Sequence, residues 1–193
     1  MIRVMTRASA PALALTGLLL GAAASAPSSE RLAPCLACHG AQGTSETEGV
    51  PSLGAQQADY IVTQLFQFRE RQRGAPPMND MAAGLSDDDL QAFAAALSAL
   101  PPPVAAGGPP DPVLAARAQA LVSKHQCNSC HGVDLTGRDA LPRIRGQRED
   151  YLKASLAAYR SNARPGYDPA MNEVAQGLKD DEIADLAAYL ARL

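Results

Sequence analysis

The pattern Cys-x-x-Cys-His occurs twice in this chain, at residues 35–39 and again at residues 127–131. This spacing is the attachment signature of c-type haem, in which two thiols form thioethers with the haem vinyl groups and the adjacent histidine binds the iron. The predicted attachment residues are Cys35, Cys38, Cys127 and Cys130, and the predicted proximal iron ligands are His39 and His131. The two motifs contain all 4 cysteines, so no thiol is left for a disulfide or for catalysis. We therefore expect two haem c groups as cofactors.

The N-terminus is predicted to be a secretory signal peptide over residues 1–26. Arg3 and Arg7 form its basic start, an apolar stretch follows over 8–24, and small residues permit cleavage near 24–26. Because bacteria attach c-type haem outside the cytoplasm, this segment predicts a periplasmic protein. An uncleaved membrane anchor is the alternative, although the stretch is shorter than the ~20 residues that a spanning helix prefers. Any membrane association is expected to be peripheral.

The sequence around the two motifs is duplicated. Residues of the first half recur in the second in the same order, as Pro51 with Pro142, Gln56 with Gln147, Tyr60 with Tyr151, Arg73 with Arg164, and Met78 with Met171. Such a repeat indicates two copies of one structural unit. We predict one domain over residues 27–100 and a second over residues 113–193. Residues 101–112 are rich in proline and glycine, which predicts a linker between them.

Helical patterns dominate both halves, and no stretch alternates in the way that is typical of a strand. Apolar residues recur at helical spacing over residues 57–71 and 150–159. A capping box at Ser86 predicts a helix to about residue 100, and Asp111 before a proline predicts another over residues 113–124. The helix before the first motif is expected to span only residues 29–33, because Pro34 follows. We therefore expect an all-α fold of two tandem domains, each wrapped around one covalently bound haem.

Methionine is the predicted sixth ligand of each iron. The second half has one methionine, Met171, and the duplication aligns it with Met78 rather than with Met81. We therefore predict Met78 and Met171 as axial ligands and expect Met81 to pack in the core. The remaining histidine, His125, lies too near Cys127 to reach the other haem face and is expected on the surface. Thioether ligation raises the reduction potential and closes the iron to oxygen and peroxide, which favours electron transfer over catalysis.

Together these motifs resemble those of the dihaem class I cytochromes c, and most closely the cytochrome c4 family. The resemblance extends over nearly all of the chain after residue 26 and includes Gly84-Leu85 and Gly177-Leu178, which follow the two methionine segments. It implies two small helical domains with one His/Met haem each. It also implies that the carbonyl groups of Pro51 and Pro142 accept a hydrogen bond from the proximal histidines and thereby tune the iron.

A periplasmic electron carrier, rather than an enzyme, is the function that the resemblance implies. Such a carrier transfers single electrons between respiratory-chain partners. The donor would be a quinol-cytochrome c reductase or a dehydrogenase, and the acceptor a terminal oxidase. Two alternatives stay open at this point: an electron-transfer subunit of a periplasmic dehydrogenase, such as a flavocytochrome sulfide dehydrogenase or an alcohol dehydrogenase, and a dihaem peroxidase.

The distribution of charge restricts the partners further. The formal net charge is −3 and becomes more negative once Arg3 and Arg7 are removed, so nucleic acid is excluded as a partner. Residues 27–103 contain four basic and nine acidic side chains, whereas residues 104–193 contain eleven of each. We expect the two halves to present differently charged surfaces, one to the donor and one to the acceptor.

Overall fold

The computed structural model describes residues 27–193, apart from residues 28, 106 and 167, and the predicted signal peptide over 1–26 lies outside the described residues. Nine α-helices occur in this part of the chain: α1 Ser29–His39, α2 Ala58–Arg69, α3 Met78–Ala82, α4 Asp87–Ser98, α5 Pro112–Lys124, α6 Cys127–His131, α7 Glu149–Arg160, α8 Ala170–Gln176 and α9 Asp180–Leu190. The described residues contain no strand, only an isolated bridge between Arg138 and Leu141. The predicted all-α fold is confirmed. None of the described helices has the length and apolar character needed to cross a membrane.

The helices form two groups with separate hydrophobic clusters. In the first group, α2 packs against α4 around Ile61, Ala94 and Leu97, and Leu36 of α1 packs against this cluster. In the second group, α9 packs against α5 and α7, and Cys127 of α6 packs against the resulting cluster. Each Cys-x-x-Cys-His motif therefore lies at the edge of its own apolar core.

Most helix boundaries lie within two residues of their predicted positions, but α1 does not end before Pro34. It continues through the whole first motif to His39. A proline in the second turn removes one intrahelical hydrogen bond, here to the carbonyl of Glu30, without blocking the turns that follow. The helix is also held from outside, because Leu32 and Leu36, on either side of the proline, pack against the apolar cluster of the first half, and Arg31 forms an ion pair with Asp89 of α4 at 2.6 Å. Tertiary contact therefore outweighs the local effect of the proline.

Loops make several of the hydrogen bonds that join the two halves. The Asp150 carboxylate accepts a bond from the Gly49 amide at 2.9 Å, and the Arg148 guanidinium donates to the Ser45 carbonyl at 3.1 Å. The Gln57 side chain donates to the Thr136 carbonyl at 3.0 Å. The segment that follows the first motif is thus held against the segment that follows the second.

A buried arginine also joins α2 to α7. Arg164 is 7% exposed, and its guanidinium donates to the Tyr60 hydroxyl at 2.9 Å, to Gln64 at 3.3 Å and to the Tyr151 hydroxyl at 3.2 Å. Arg73 of the first half also donates to the Tyr151 hydroxyl, at 3.4 Å. Burial by itself would raise the pKa of Tyr151, but the two guanidinium charges outweigh it and lower that pKa to about 7. The cluster therefore places two cations between the halves.

Candidate haem-binding sites

Each Cys-x-x-Cys-His motif occupies a helical turn, in the last turns of α1 and in all of α6. Residues three apart lie on one side of a helix, so the two thiols of each motif share a face. A glycine with positive φ follows the histidine of each motif, Gly40 at +86° and Gly132 at +84°. A Cβ atom on Gly40 would lie 1.8 Å from the Thr44 carbonyl oxygen, so the chain can turn there only with glycine.

The thiols differ in exposure in the same way in both halves. Cys35 and Cys127 are partly buried, whereas Cys38 and Cys130 are exposed, and all four are free of disulfides. Burial raises the pKa of the Cys35 and Cys127 thiols. One thiol of each pair therefore lies against the core and the other lies at the rim.

The two histidines are held in one tautomer. His39 and His131 are each 6% exposed, and Nδ1 of each donates to the carbonyl of a proline, Pro51 or Pro142, at 2.8 Å. A proton on Nδ1 leaves Nε2 as the ring nitrogen with a free lone pair. Burial lowers the pKa of both rings more than the proline carbonyls raise it, so the neutral form is favoured. Each histidine is therefore ready to bind a metal through Nε2.

A cleft in the first half brings the attachment segment and the predicted axial methionine together. The cavity has a volume of ≈ 250 Å³ and both Cys35 and Met78 line it. Its other walls are mostly apolar and come from α1 to α4 and the loop before α4, with Arg31 at one side. The remaining lining residues are Pro34, Leu65, Met81, Leu85, Phe93 and Leu97. A thiol, a thioether and an apolar wall thus surround one space.

Asn79, which follows Met78, anchors the methionine segment of the first half. Its side chain is buried, and it accepts a hydrogen bond from the Ala75 amide at 2.7 Å. It donates to the carbonyl groups of Phe68 at 3.0 Å and Arg73 at 2.7 Å. These bonds hold the start of α3 against the end of α2 and the loop that follows α2, and so hold Met78 at the cleft.

Asn172 anchors Met171 of the second half in the same way. It accepts a bond from the Gly166 amide at 3.0 Å and donates to the carbonyl groups of Tyr159 and Arg164, each at 3.0 Å. The sequence signal for this role is the Met-Asn pair that recurs in both halves, and the pattern of repeats alone did not reveal what the asparagines do. Met171 itself is partly buried near the start of α8.

The expectation that Met81 packs in the core is wrong. Its side chain is 45% exposed and lines the same cleft as Met78. The two methionines are three residues apart on α3 and therefore share a face, while Ala82 takes the fully buried position of that helix.

His125 is not the surface residue that its position suggested. Its side chain is 12% exposed, and Nε2 is buried without a hydrogen-bond partner among the residues that the structure describes, 4.0 Å from a carboxylate oxygen of Glu182. The end of α5 packs against the start of α9, where Lys124 forms an ion pair with Glu182 at 2.7 Å. This packing covers the imidazole that follows Lys124.

The donor set of each half fits a covalently attached haem. In the first half, the Cys35 thiol and the Met78 thioether line an apolar cleft, whereas Cys38 and the neutral His39 imidazole lie on the same helical turns outside its lining. The second half repeats the thiol, imidazole and methionine positions along the chain. Imidazole and thioether are the ligands of haem iron in electron-transfer cytochromes c, and the hydrogen bond to a backbone carbonyl fixes the ring orientation. When bound, the haem iron supplies a centre that takes up and releases one electron.

Comparison with known proteins identifies c-type cytochromes as the relatives of this chain. A family model described as cytochrome c matches residues 115–193. The chain is 35% identical to cytochrome c4 of Thiocapsa roseopersicina over 171 residues, which cover 82% of this chain and 86% of that protein. It is 36% identical over 170 residues to a thiosulfate dehydrogenase electron acceptor of Stutzerimonas stutzeri (strain A1501), covering 82% of this chain and 78% of that protein.

The fold matches a solved member as well. The crystal structure of reduced recombinant cytochrome c4 from Pseudomonas stutzeri superposes with a TM-score of 0.77 at 29% identity, covering 85% of this chain and 95% of that one. The cytochromes c4 are dihaem electron carriers and not enzymes. Sequence similarity over most of the chain and the shared class I fold together show that this chain belongs to the cytochrome c4 family of dihaem c-type cytochromes.

Proposed function

We propose that the chain carries single electrons through two His/Met haems, one in each half. Cys35 and Cys38 attach the first haem, which His39 and Met78 ligate. The corresponding residues of the second half are Cys127, Cys130, His131 and Met171. Two observations carry this proposal: the cleft that brings Cys35 and Met78 together, and the His39 imidazole held in the Nδ1–H tautomer four residues after Cys35.

Haem content and ligation test this assignment. We expect the protein from a strain that matures c-type cytochromes to contain two haems per chain by pyridine haemochrome assay. Met78→Ala and Met171→Ala should each remove about half of the sulfur-to-iron charge-transfer absorption of the ferric protein. Met81→Leu, which changes the neighbouring methionine of the same cleft, is the matched control and should leave that absorption intact. One haem per chain, or loss of the band in the control, would contradict the assignment.

The division of the chain supports one haem per half. The two hydrophobic clusters are separate, and the segment over residues 101–112 runs between α4 and α5. We place the domains at residues 27–100 and 113–193, with residues 101–112 as the linker. Cleavage in this segment should leave two fragments that each retain one haem on denaturing electrophoresis.

The same proposal includes export to the periplasm, by the signal peptide over residues 1–26. Arg3 and Arg7 followed by an apolar stretch support it. N-terminal sequencing of the protein from the periplasmic fraction should give a start between residues 25 and 27. An intact Met1 on the haem-containing protein would contradict cleavage.

The partners are redox proteins, and two kinds are supported. As a free carrier, the protein would accept electrons from a quinol-cytochrome c reductase or a dehydrogenase and pass them to a terminal oxidase. The second kind is a direct acceptor for one dehydrogenase. The similarity to a thiosulfate dehydrogenase electron acceptor supports this second role.

Stopped-flow kinetics separates the two roles. The oxidised protein is mixed with a purified thiosulfate dehydrogenase plus thiosulfate, and in parallel with a quinol-cytochrome c reductase plus quinol. Fast reduction by both supports a free carrier, whereas fast reduction by the dehydrogenase alone supports the dedicated acceptor. Reduction by neither, in a protein that contains both haems, would exclude both donors.

A further inference from the structure

The proximal histidine of each half is hydrogen-bonded to a peptide group that the other half also contacts. The carbonyl of the Pro51–Ser52 peptide accepts the His39 Nδ1–H bond at 2.8 Å. The N–H of that same peptide, on Ser52, donates to Oε1 of Gln147 at 2.8 Å. One peptide group thus lies between a histidine of the first half and a glutamine of the second.

The second half repeats the arrangement with the roles exchanged. The Pro142 carbonyl accepts from His131 Nδ1 at 2.8 Å, and the Arg143 N–H of that peptide donates to Oε1 of Gln56 at 2.7 Å. Gln56 and Gln147 are aligned residues of the sequence repeat. The same hydrogen bond therefore occurs twice across the interface: in each half, a peptide N–H donates to the glutamine of the other half.

Further hydrogen bonds fix the orientation of each glutamine amide. Nε2 of Gln147 donates to the Ser52 carbonyl at 2.9 Å, and Nε2 of Gln56 donates to the Arg143 carbonyl at 3.0 Å. Gln56 is 4% exposed and Gln147 is 5% exposed, so water does not compete for these groups. Each glutamine therefore brackets one backbone residue of the opposite half.

A peptide that donates through its N–H becomes a stronger acceptor at its carbonyl, because hydrogen bonds in a chain polarise one another. Condensed-phase estimates put this strengthening at about 10–30% per bond. A stronger acceptor draws the Nδ1 proton and increases the electron density at Nε2, which is the atom that faces a metal. More donation from the imidazole stabilises ferric iron and lowers the reduction potential.

We propose that Gln147 lowers the reduction potential of the haem at His39, and that Gln56 lowers the potential of the haem at His131. Each half thus tunes the redox centre of the other through the backbone. This inference rests on the proposed ligation by the two histidines. The glutamines act as positioning residues, because each acts through a peptide and an imidazole rather than on the iron.

Replacing Gln147 with leucine tests the inference. Gln147→Leu should raise the equilibrium constant for reduction at the His39 haem about threefold, which is about 28 mV at ~59 mV per tenfold for a one-electron couple. The potential at the His131 haem should not change. Gln56→Leu should give the mirror result. Both potentials are followed by an NMR-monitored redox titration in which the haem methyl resonances are assigned to each half.

Gln57→Leu is the matched control, because the Gln57 side chain also bridges the halves but donates to the Thr136 carbonyl and bonds to neither proximal peptide. It should leave both potentials unchanged. A second readout is the Nδ1–H resonance of His39 in the reduced protein, which should move upfield in Gln147→Leu and not in Gln57→Leu. Equal shifts of both potentials, or the same shift in the control, would show general loosening of the interface and overturn the inference.

The outcomes also separate this inference from the proposed function. A wild-type protein without two covalent haems, or without the sulfur-to-iron band, would contradict the proposed function itself. An unchanged His39 haem potential in a Gln147→Leu protein that keeps both haems and the band would contradict only the role of the glutamine.

Discussion

Replacing Asn79 with alanine should loosen Met78 without removing it. The substitution deletes three hydrogen bonds of the buried Asn79 side chain, at 2.7, 3.0 and 2.7 Å, that tie α3 to Phe68 of α2 and to the loop after α2. At about 1 kcal/mol net for each bond, the closed position of the methionine segment loses about 3 kcal/mol. Since ~1.4 kcal/mol is tenfold in an equilibrium constant, the population with Met78 displaced should rise about 100-fold.

Imidazole binding to the ferric protein measures this population, because added imidazole reaches the iron only when the methionine leaves. The apparent Kd at the Met78 haem should fall about 100-fold in Asn79→Ala, while the Met171 haem keeps its wild-type Kd. Asn79→Asp keeps the acceptor for the Ala75 amide and should give a smaller change. Asn172→Ala should reverse the pattern. A change of less than about threefold at the Met78 haem, or an equal change at both haems, would refute the anchoring role.

Three further predictions concern the interface and the surface. Hydrogen bonds from Arg148 are the main cause that lowers the pKa of Asp150 to about 2. Asp150 therefore stabilises the folded protein fully above its ordinary pKa of 3.8, and this stability is lost as the pH falls to about 2. Protection of the Gly49 amide from exchange should therefore fall in that range, and in Asp150→Ala, which removes the acceptor, it should be low at every pH. Arg164→Leu should raise the Tyr151 pKa well above 7, measured by NMR of ¹³C-labelled tyrosine, and an unchanged pKa would refute the electrostatic cause. Rates of reduction and of re-oxidation should show different salt dependences, whereas identical slopes would count against separate docking surfaces.

Much of the site could be predicted from the sequence because its chemistry is local. The two thiols and the histidine of each motif lie within five residues, and a helical turn is enough to bring them together. Helix α5 follows from its capping residue Asp111 and helix α7 from apolar spacing, and both lie where the pattern predicted. The carbonyl of Pro51 meets His39 across only twelve residues, so the family resemblance was sufficient to anticipate that bond.

The remaining features depend on tertiary contacts that a linear pattern does not encode. The burial of His125 depends on where α9 docks, and the exposure of Met81 depends on which face of a five-residue helix meets the core. The continuation of α1 past Pro34 likewise depends on the packing of Leu32 and Leu36 against α2 and α4. The repeat marked Gln56 and Gln147 as equivalent, but equivalence does not reveal that each one bonds to the opposite half.

The contact between the halves is self-complementary in the manner of an isologous dimer interface. The glutamine of each half accepts a hydrogen bond from a backbone N–H of the other half. A single-domain ancestor with one such glutamine and one such proline loop would already possess both surfaces needed to pair with a copy of itself about a two-fold axis. Fusion through a proline-rich connection then does not have to create the pairing contacts. It raises the effective concentration of one copy at the other, and it frees the two copies to diverge in charge while the pairing geometry is retained.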